Sequence, residues 1–292
     1  MKEQIDFIRY LVEKGGPATN GDYRGYQKLV MNLSAGLSSG EITRKEMDGC
    51  VNAFGRAMSN HTVQGFALNK PYGYAGDFEI IDRIYNQYIT AEQDLKNWDI
   101  YFHKLAASKA VVQRKSYFLN FVSGLEDGAK VLNFASGPAR DVCEALNVPQ
   151  KNSIFFHCID QDEKAIDYGK SLCSAYKKNV FFEQKDVFRF KPSIRYDLIW
   201  AAGLFDYFSD KHFEFLLSKL TAMVKPGGEI VIGNFSPANP TRMHMEVLCR
   251  WFLNYRNEEE LFRLAKKCSI AFDRIKIEKE ESGVILFMHI LW

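Results

Sequence analysis

The segment VLNFASGPARD, residues 131–141, runs from a short apolar stretch through a tight turn into a helical pattern. Its single glycine, Gly137, lets a backbone come close to a ligand, and Pro138 suits the first turn of a helix. Exposed amides at such a helix start favour a carboxylate or a phosphate. Roughly 20 residues on, Asp160 closes the next apolar stretch, where a carboxylate accepts both hydroxyls of a ribose. Asp186 closes a third, in EQKDVF, and would meet the exocyclic amine of an adenine. Taken alone, each aspartate reads as a helix cap or turn residue, and the glycine turn as an ordinary strand-to-helix turn. Their joint placement at successive strand ends is what points to a nucleoside. The loop lacks G-x-G-x-x-G, which weakens a dinucleotide reading.

Two other stretches gather reactive groups. NKPYGYAGDFEIIDRIY (69–85) holds Tyr72, Tyr74 and Asp77 just before a helical pattern. In one reading Gly76-Asp77 is a turn and helix cap, with Phe78, Ile81 and Ile84 packing inward; in the other the tyrosines are hydroxyl donors in a lid. FSPANPTRMHMEVLCRWFLNYRNEEE (235–260) concentrates Asn239, Arg242, His244, Glu246, Arg250, Trp251, Tyr255 and Arg256. A guanidinium there would hold a carboxylate bidentately, and Trp251 and Tyr255 offer apolar walls. A carboxylate acceptor needs no general base; for a hydroxyl or amine acceptor His244 is the preferred base, with Glu246 second, and Arg256 is a further catalytic candidate. Asp206 and Tyr207 lie just beyond a fourth strand, at a pocket wall.

The elements that must position these groups change character near residue 128. Before it, Tyr23–Leu37, Gly40–Ser59, Phe78–Asn86 and Ala91–Val122 carry apolar residues at helical spacing. After it, strands at 130–135, 153–160, 180–186, 196–203 and within 225–235 alternate with helical patterns, and a hairpin around Ser282-Gly283 closes the chain. That alternation predicts an α/β fold: a Rossmann-like, doubly wound, mostly parallel seven-stranded sheet with a C-terminal antiparallel hairpin. The helical region 1–122 is expected as a lid or cap, and 123–292 as the ligand-binding domain.

Composition narrows the partners. A net charge of +2 with interspersed signs leaves no basic stripe of the kind nucleic acid requires. No uncharged apolar stretch reaches membrane-spanning length, and the start has no apolar run of signal-peptide length. The six cysteines form no C-x-x-C pair, so no metal site is expected and reduced thiols in a cytoplasmic protein are.

In order and spacing, the set resembles the class I S-adenosylmethionine-dependent methyltransferases over about residues 115–292. The features are the loop 134–140, Asp160, Asp186-Val187, YDLIWAAGLFDYF, KPGGEIVI and the closing hairpin. Asn133 departs from the acidic residue that many members carry there. The stretch 69–85 together with ASGPARD is similar to a bacterial subgroup that forms 3-hydroxypalmitic acid methyl ester.

The resemblance implies S-adenosyl-L-methionine as cofactor and S-adenosyl-L-homocysteine as product. It implies a cofactor site of Tyr74, Asp77, Ala135, Ser136, Gly137, Pro138, Asp160, Gln161, Asp186, Val187, Ala202 and Gly203, with Asp77 meeting the methionine ammonium. The substrate would be a small molecule such as a hydroxy fatty acid, touched by Tyr72, Tyr207, Arg242, Trp251 and Tyr255, and the protein a monomer or homodimer. AAGLFDYF supports neither adenine-base methylation, which goes with N/D-P-P-Y/F, nor metal-dependent catechol methylation. A nicotinamide-dependent oxidoreductase and a non-catalytic nucleotide-ligand-binding protein are the alternatives.

Overall fold

The computed structural model describes residues 1–148 and 153–292. Among the described residues, helices α1 (Lys2–Glu13), α2 (Asn20–Ser39), α3 (Arg44–Ala53), α4 (Val63–Asn69), α5 (Phe78–Tyr85), α6 (Lys96–Lys104) and α7 (Ala106–Ser123) come first. Strands and helices then alternate as β1 (Lys130–Phe134), α8 (Arg140–Leu146), β2 (Phe155–Asp160), α9 (Glu163–Leu172), β3 (Val180–Gln184), β4 (Tyr196–Ala201), α10 (Asp210–Thr221) and β5 (Val224–Phe235). Helices α11 (Arg242–Val247) and α12 (Glu258–Lys267) precede β6 (Ile275–Lys279) and β7 (Ile285–Leu291). No helix of the described residues is long and apolar enough to cross a membrane.

The chain divides into two compact units, one of residues 1–109 and 240–252, the other of 110–239 and 253–292. Contacts therefore place the division at 109/110 rather than at the expected 122/123, and they return 240–252 to the helical unit. There α11 packs on α2, and the His244 ring meets the Tyr26, Tyr101 and Phe102 rings at 5.6, 6.0 and 6.1 Å. Trp98 and Phe54 complete this aromatic core.

Local chemistry sets the helix ends. Thr19 with Asp22, and Thr43 with Glu46, form capping boxes at α2 and α3. Gly40 ends α2 at φ 77°, so the helix expected over 40–59 begins only at Arg44 and finishes as a short 3₁₀ turn, Gly55–Met58. The helix expected over 91–122 is two helices. Leu105 between them is extended, and the Thr241 hydroxyl accepts from the Ala107 N–H at 3.0 Å, capping the new start.

The second unit is built on a seven-stranded sheet of order β3-β2-β1-β4-β5-β7-β6. The pairs from β3 through to β5 are parallel, and β7 is antiparallel to β5 and β6. Strands β1, β4 and β7 are buried almost throughout, as expected of strands covered on both faces. On one face Leu132, Phe134, Ile159, Ile199 and Ile232 meet Phe213, Leu217 and Leu264 of α10 and α12. On the other, Tyr117 stacks on Phe287 at 4.0 Å and Phe118 tilts against Trp200 at 5.0 Å. KPGG (225–228) lies inside β5, where a bulge takes up the extra residues: Tyr196 pairs with Val224 and Leu198 with Glu229.

Candidate functional site

Strand order reverses between β1 and β4, so the ligand cradle of an open sheet falls at their carboxyl ends, within the second unit. The loop leaving β1 has an unusual backbone. Ala135, Gly137 and Ala139 all adopt left-handed conformations, with φ of 60°, 52° and 50°. Positive φ thus recurs at every second position, a conformation that glycine adopts most readily, here with alanine at the outer two places. A left-handed alanine costs about 1–2 kcal/mol each, strain of the kind concentrated at ligand sites. A Cβ on Gly137 would meet nothing within 4 Å, so the glycine leaves open space above the loop.

Asp160 holds this path in place. Its Oδ2 accepts from the Gly137 N–H at 2.9 Å and its Oδ1 from the Asp162 N–H at 3.0 Å. Burial raises its carboxyl above the ordinary range, against the pull of those bonds. Beside it, the Ser136 N–H donates to the Ile159 carbonyl at 2.9 Å. Asp186, in the turn after β3, accepts from the Phe188 N–H at 2.8 Å, which leaves Val187 buried in the core and Asp186 itself half-exposed. Gln161 is exposed and Pro138 buried. At the end of β4, Ala202 is buried and Gly203 exposed.

Arg114 and Asp141, two groups of this cradle, carry no signal in the sequence. Arg114 of α7 is buried and donates to the Ala202 carbonyl at 2.7 Å; a Cβ on Gly203 would lie 2.8 Å from its Nη1. The guanidinium draws on two buried carboxylates, Asp141 in the first turn of α8 and Asp206 beyond β4. Burial lifts each of them to about 6. Asp206 Oδ1 accepts from the Phe235 N–H at 2.6 Å, tying the β4 end to β5. Asn133 Nδ2 and Ser136 Oγ are buried without a hydrogen-bond partner. A cavity of about 530 Å³ opens elsewhere in this unit, against His157, Phe181, Phe190 and Tyr196 near the β2–β3 edge rather than at the strand ends.

Residues 131–228 match a family model described as a methyltransferase domain. The match spans the cradle from β1 into β5. No curated protein matches the chain in sequence. Among solved structures, a possible exported protein from Bordetella parapertussis is similar over 99% of this chain and 94% of its own, with a TM-score of 0.65 and 15% identity. Magnesium protoporphyrin IX methyltransferase from Synechocystis, solved with bound SAH, is similar over 78% of this chain and 97% of its own, with a TM-score of 0.53 and 11% identity. At such identities the likeness is one of fold.

The residues expected on the substrate side are divided between the two units. Arg242, His244, Glu246 and Trp251 belong to the helical unit, Tyr255 and Arg256 to the sheet unit. His244 is only 4% exposed, neither ring nitrogen has a partner, and burial pushes its pKa down to about 3. An imidazole that resists protonation this strongly is a poor general base, so it is corrected to a core aromatic. Glu246 is held by Arg242 at 2.7 Å, one turn away on α11.

Arg256, 4% exposed, commits all five N–H donors internally: to the Phe205 and Phe208 carbonyls, to Asn234 Oδ1 and twice to Asp210 Oδ1. It is a structural staple with no donor left for a substrate carboxylate. Trp251 is buried, and Tyr255 packs edge-on to Phe235 at 6.4 Å. Tyr207, at the end of the turn after β4, is exposed.

In the helical unit, Asp77 takes the capping role: Oδ1 accepts from the Ile80 N–H at 2.9 Å, and burial lifts the carboxyl to about 6. The Tyr72 hydroxyl donates to Glu79 at 2.7 Å and its ring packs on Phe78 at 4.6 Å. Tyr74 is exposed.

Proposed function

We propose that this chain is an S-adenosylmethionine-dependent methyltransferase acting on a small molecule, with a carboxylate as the methyl acceptor. The observation that carries the reading is the alternating left-handed path Ala135-Gly137-Ala139, pinned to Asp160 at the end of β2. A pyrophosphate needs backbone approach at several points, whereas an amino-acid carboxylate and a ribose need less, so one glycine with open space above it is enough. The residues present suit the cofactor: unpaired buried donors on the β1 loop await an acceptor, and a carboxylate stands where ribose hydroxyls would donate.

When bound, S-adenosylmethionine supplies a sulfonium methyl whose leaving group is already activated. Ser136, Gly137, Pro138 and Ala135 then line the amino-acid half, Asp160 and Gln161 the ribose, and Asp186 and Val187 the adenine. Ala202 and Gly203 border the cradle at β4, and Tyr207 and Tyr255 are the substrate-side residues of the same unit. In-line methyl transfer asks the protein mainly to align the nucleophile and exclude water. A carboxylate is ionised at neutral pH and needs no base. A hydroxy fatty acid fits that acceptor chemistry.

Incubation with methyl-labelled cofactor and a cell extract tests the reading. Base-labile label in the product is expected, as for an ester. Base-stable label would overturn the carboxylate assignment, and the absence of label with every acceptor fraction would count against transfer itself.

A further inference from the structure

The cavity of about 530 Å³ at the β2–β3 edge has the size of a small-molecule site and is lined by none of the residues assigned to the cofactor or the methyl acceptor. Strand register explains why it opens there. His157 pairs with Phe181, and Ile159 with Glu183, so these side chains share one face of the two strands. On the opposite face Phe182 packs against α9, where a Cβ on Gly169 would lie 2.6 Å from its ring. The rest of the lining comes from the segment joining β3 to β4 and from Tyr196, which begins β4. His157 lies three residues before the end of β2 and Tyr196 five before the end of β4. At about 3.3 Å per residue, that sets the floor of the cavity roughly 10–17 Å back from the strand ends.

The floor is aromatic. The His157 ring is its hub, 5.0 Å from Phe181, 5.4 Å from Phe190 and 6.0 Å from Tyr196. His157 Nδ1 is 2.7 Å from the Tyr196 hydroxyl, which fixes both rings. Phe190 and Tyr196 are buried, whereas Phe181 is 62% exposed and offers a ring to whatever enters. The rim is cationic, with Lys185, Arg189 and Lys191 all exposed. Burial holds the imidazole below its ordinary pKa against the pull of Glu183, so these three side chains carry the positive charge. Glu183 is engaged within the wall, Oε2 3.2 Å from His157 Nε2 and Oε1 3.4 Å from Lys185 Nζ, and Asp186 lies 3.8 Å from Arg189 Nε. The two carboxylates offset two of the three cations, which leaves one positive charge for a ligand to meet.

We infer that this cavity is a second ligand site, separate from the cofactor cradle, for a small planar aromatic carboxylate. Its ring would lie against Phe181 and the His157 cluster, and its carboxylate would turn to the Lys185, Arg189 and Lys191 rim. A neutral arene would use the floor and leave the rim unanswered, and a small aliphatic acid would do the reverse.

Calorimetric titration of the full chain with 2-naphthoate, 2-naphthamide and acetate tests this. Saturable binding of 2-naphthoate with a Kd below about 1 mM is expected, with 2-naphthamide at least about fivefold weaker and acetate without measurable heat. Phe181→Ser should weaken 2-naphthoate about fivefold and Lys191→Gln about threefold, while Lys185→Gln with Lys191→Gln should reach about tenfold. All three positions are exposed, and an unshifted thermal melt shows that each variant folds. Saturating S-adenosylhomocysteine should change the 2-naphthoate affinity by less than about twofold, as two separate sites require. No saturable binding of 2-naphthoate up to about 5 mM would overturn the inference, as would equal affinity for the amide. Unaltered binding in the Phe181 and double-lysine variants would overturn it too, and displacement by S-adenosylhomocysteine would place the ligand in the cofactor cradle instead.

Discussion

Replacing Arg256 with alanine removes five hydrogen bonds at once, and their placement sets the size of the effect. Two run to buried acceptors, the Phe205 carbonyl at 3.1 Å and Asn234 Oδ1 at 3.0 Å. Each buried acceptor left unpaired costs about 1–3 kcal/mol. The bonds to Asp210 add less, because that carboxylate is half-exposed and surface ion pairs contribute under about 1 kcal/mol. The guanidinium also lies over the Phe213 ring, 4.8 Å from its centroid, and truncation empties that space. Against these losses stands the desolvation of a charge that alanine no longer carries.

The net is a destabilisation of about 3 kcal/mol, or a fall in Tm of roughly 6–12 °C for a unit of this size. Arg256→Lys, which keeps the charge but not the planar fork, should fall between. A thermal melt followed by circular dichroism reads this directly. A melt within about 2 °C of the unaltered protein, together with lost methyl transfer, would refute the reasoning and return the guanidinium to the substrate.

Further consequences follow from the buried polar groups. His244→Phe exchanges an imidazole with two unpaired nitrogens for an apolar ring of similar size in an aromatic core, so Tm should hold or rise. A fall of several degrees would show that the imidazole has a partner. Asp206 has a folded pKa of about 6 against 3.8 for the free side chain, so its contribution to stability is complete below pH 3.8 and disappears as pH rises through 6. The loss amounts to roughly 3 kcal/mol between pH 4 and 7. Urea denaturation of Asp206→Asn across that range should therefore show a shallower decline with pH than the unaltered protein; identical slopes would contradict the assignment. Asp160→Ala releases the Gly137 N–H and should weaken S-adenosylhomocysteine by at least about 100-fold, checked by calorimetry, since it removes a ribose acceptor and loosens the loop together. A loss under about threefold would place the ribose elsewhere.

The fold was legible where side chains report on their own periodicity. Alternating apolar runs and helical patterns gave the parallel sheet, and Gly-bounded runs gave the closing hairpin. Asp160 alone reads as a cap or turn residue; its place at a second strand end after the glycine turn singled it out, and in the fold it accepts from the Gly137 N–H. The loop's conformation was not, because nothing in an alanine announces a positive φ; Ala135 and Ala139 adopt it under tertiary constraint.

Arg114 and Asp141 sit in ordinary helical sequence, and only the folded sheet turns them towards the ends of β1 and β4. The polar cluster of 235–260 misled for the converse reason. Arg256 and His244 look like site residues in a row of letters, yet one saturates its donors on backbone carbonyls and the other is packed among rings. Sequence shows which groups are capable of chemistry, and burial decides which of them are exposed to a ligand. The helix break at Leu105 belongs to the same class, since the hydroxyl that caps α7 comes from Thr241, far along the chain.

Calorimetric titration of the unaltered protein with S-adenosylhomocysteine, and separately with NADH, bears most directly on the central claim. Saturable binding of S-adenosylhomocysteine at micromolar concentration and none of NADH is the predicted result. No heat from S-adenosylhomocysteine near a millimolar, or saturable binding of NADH, would contradict it.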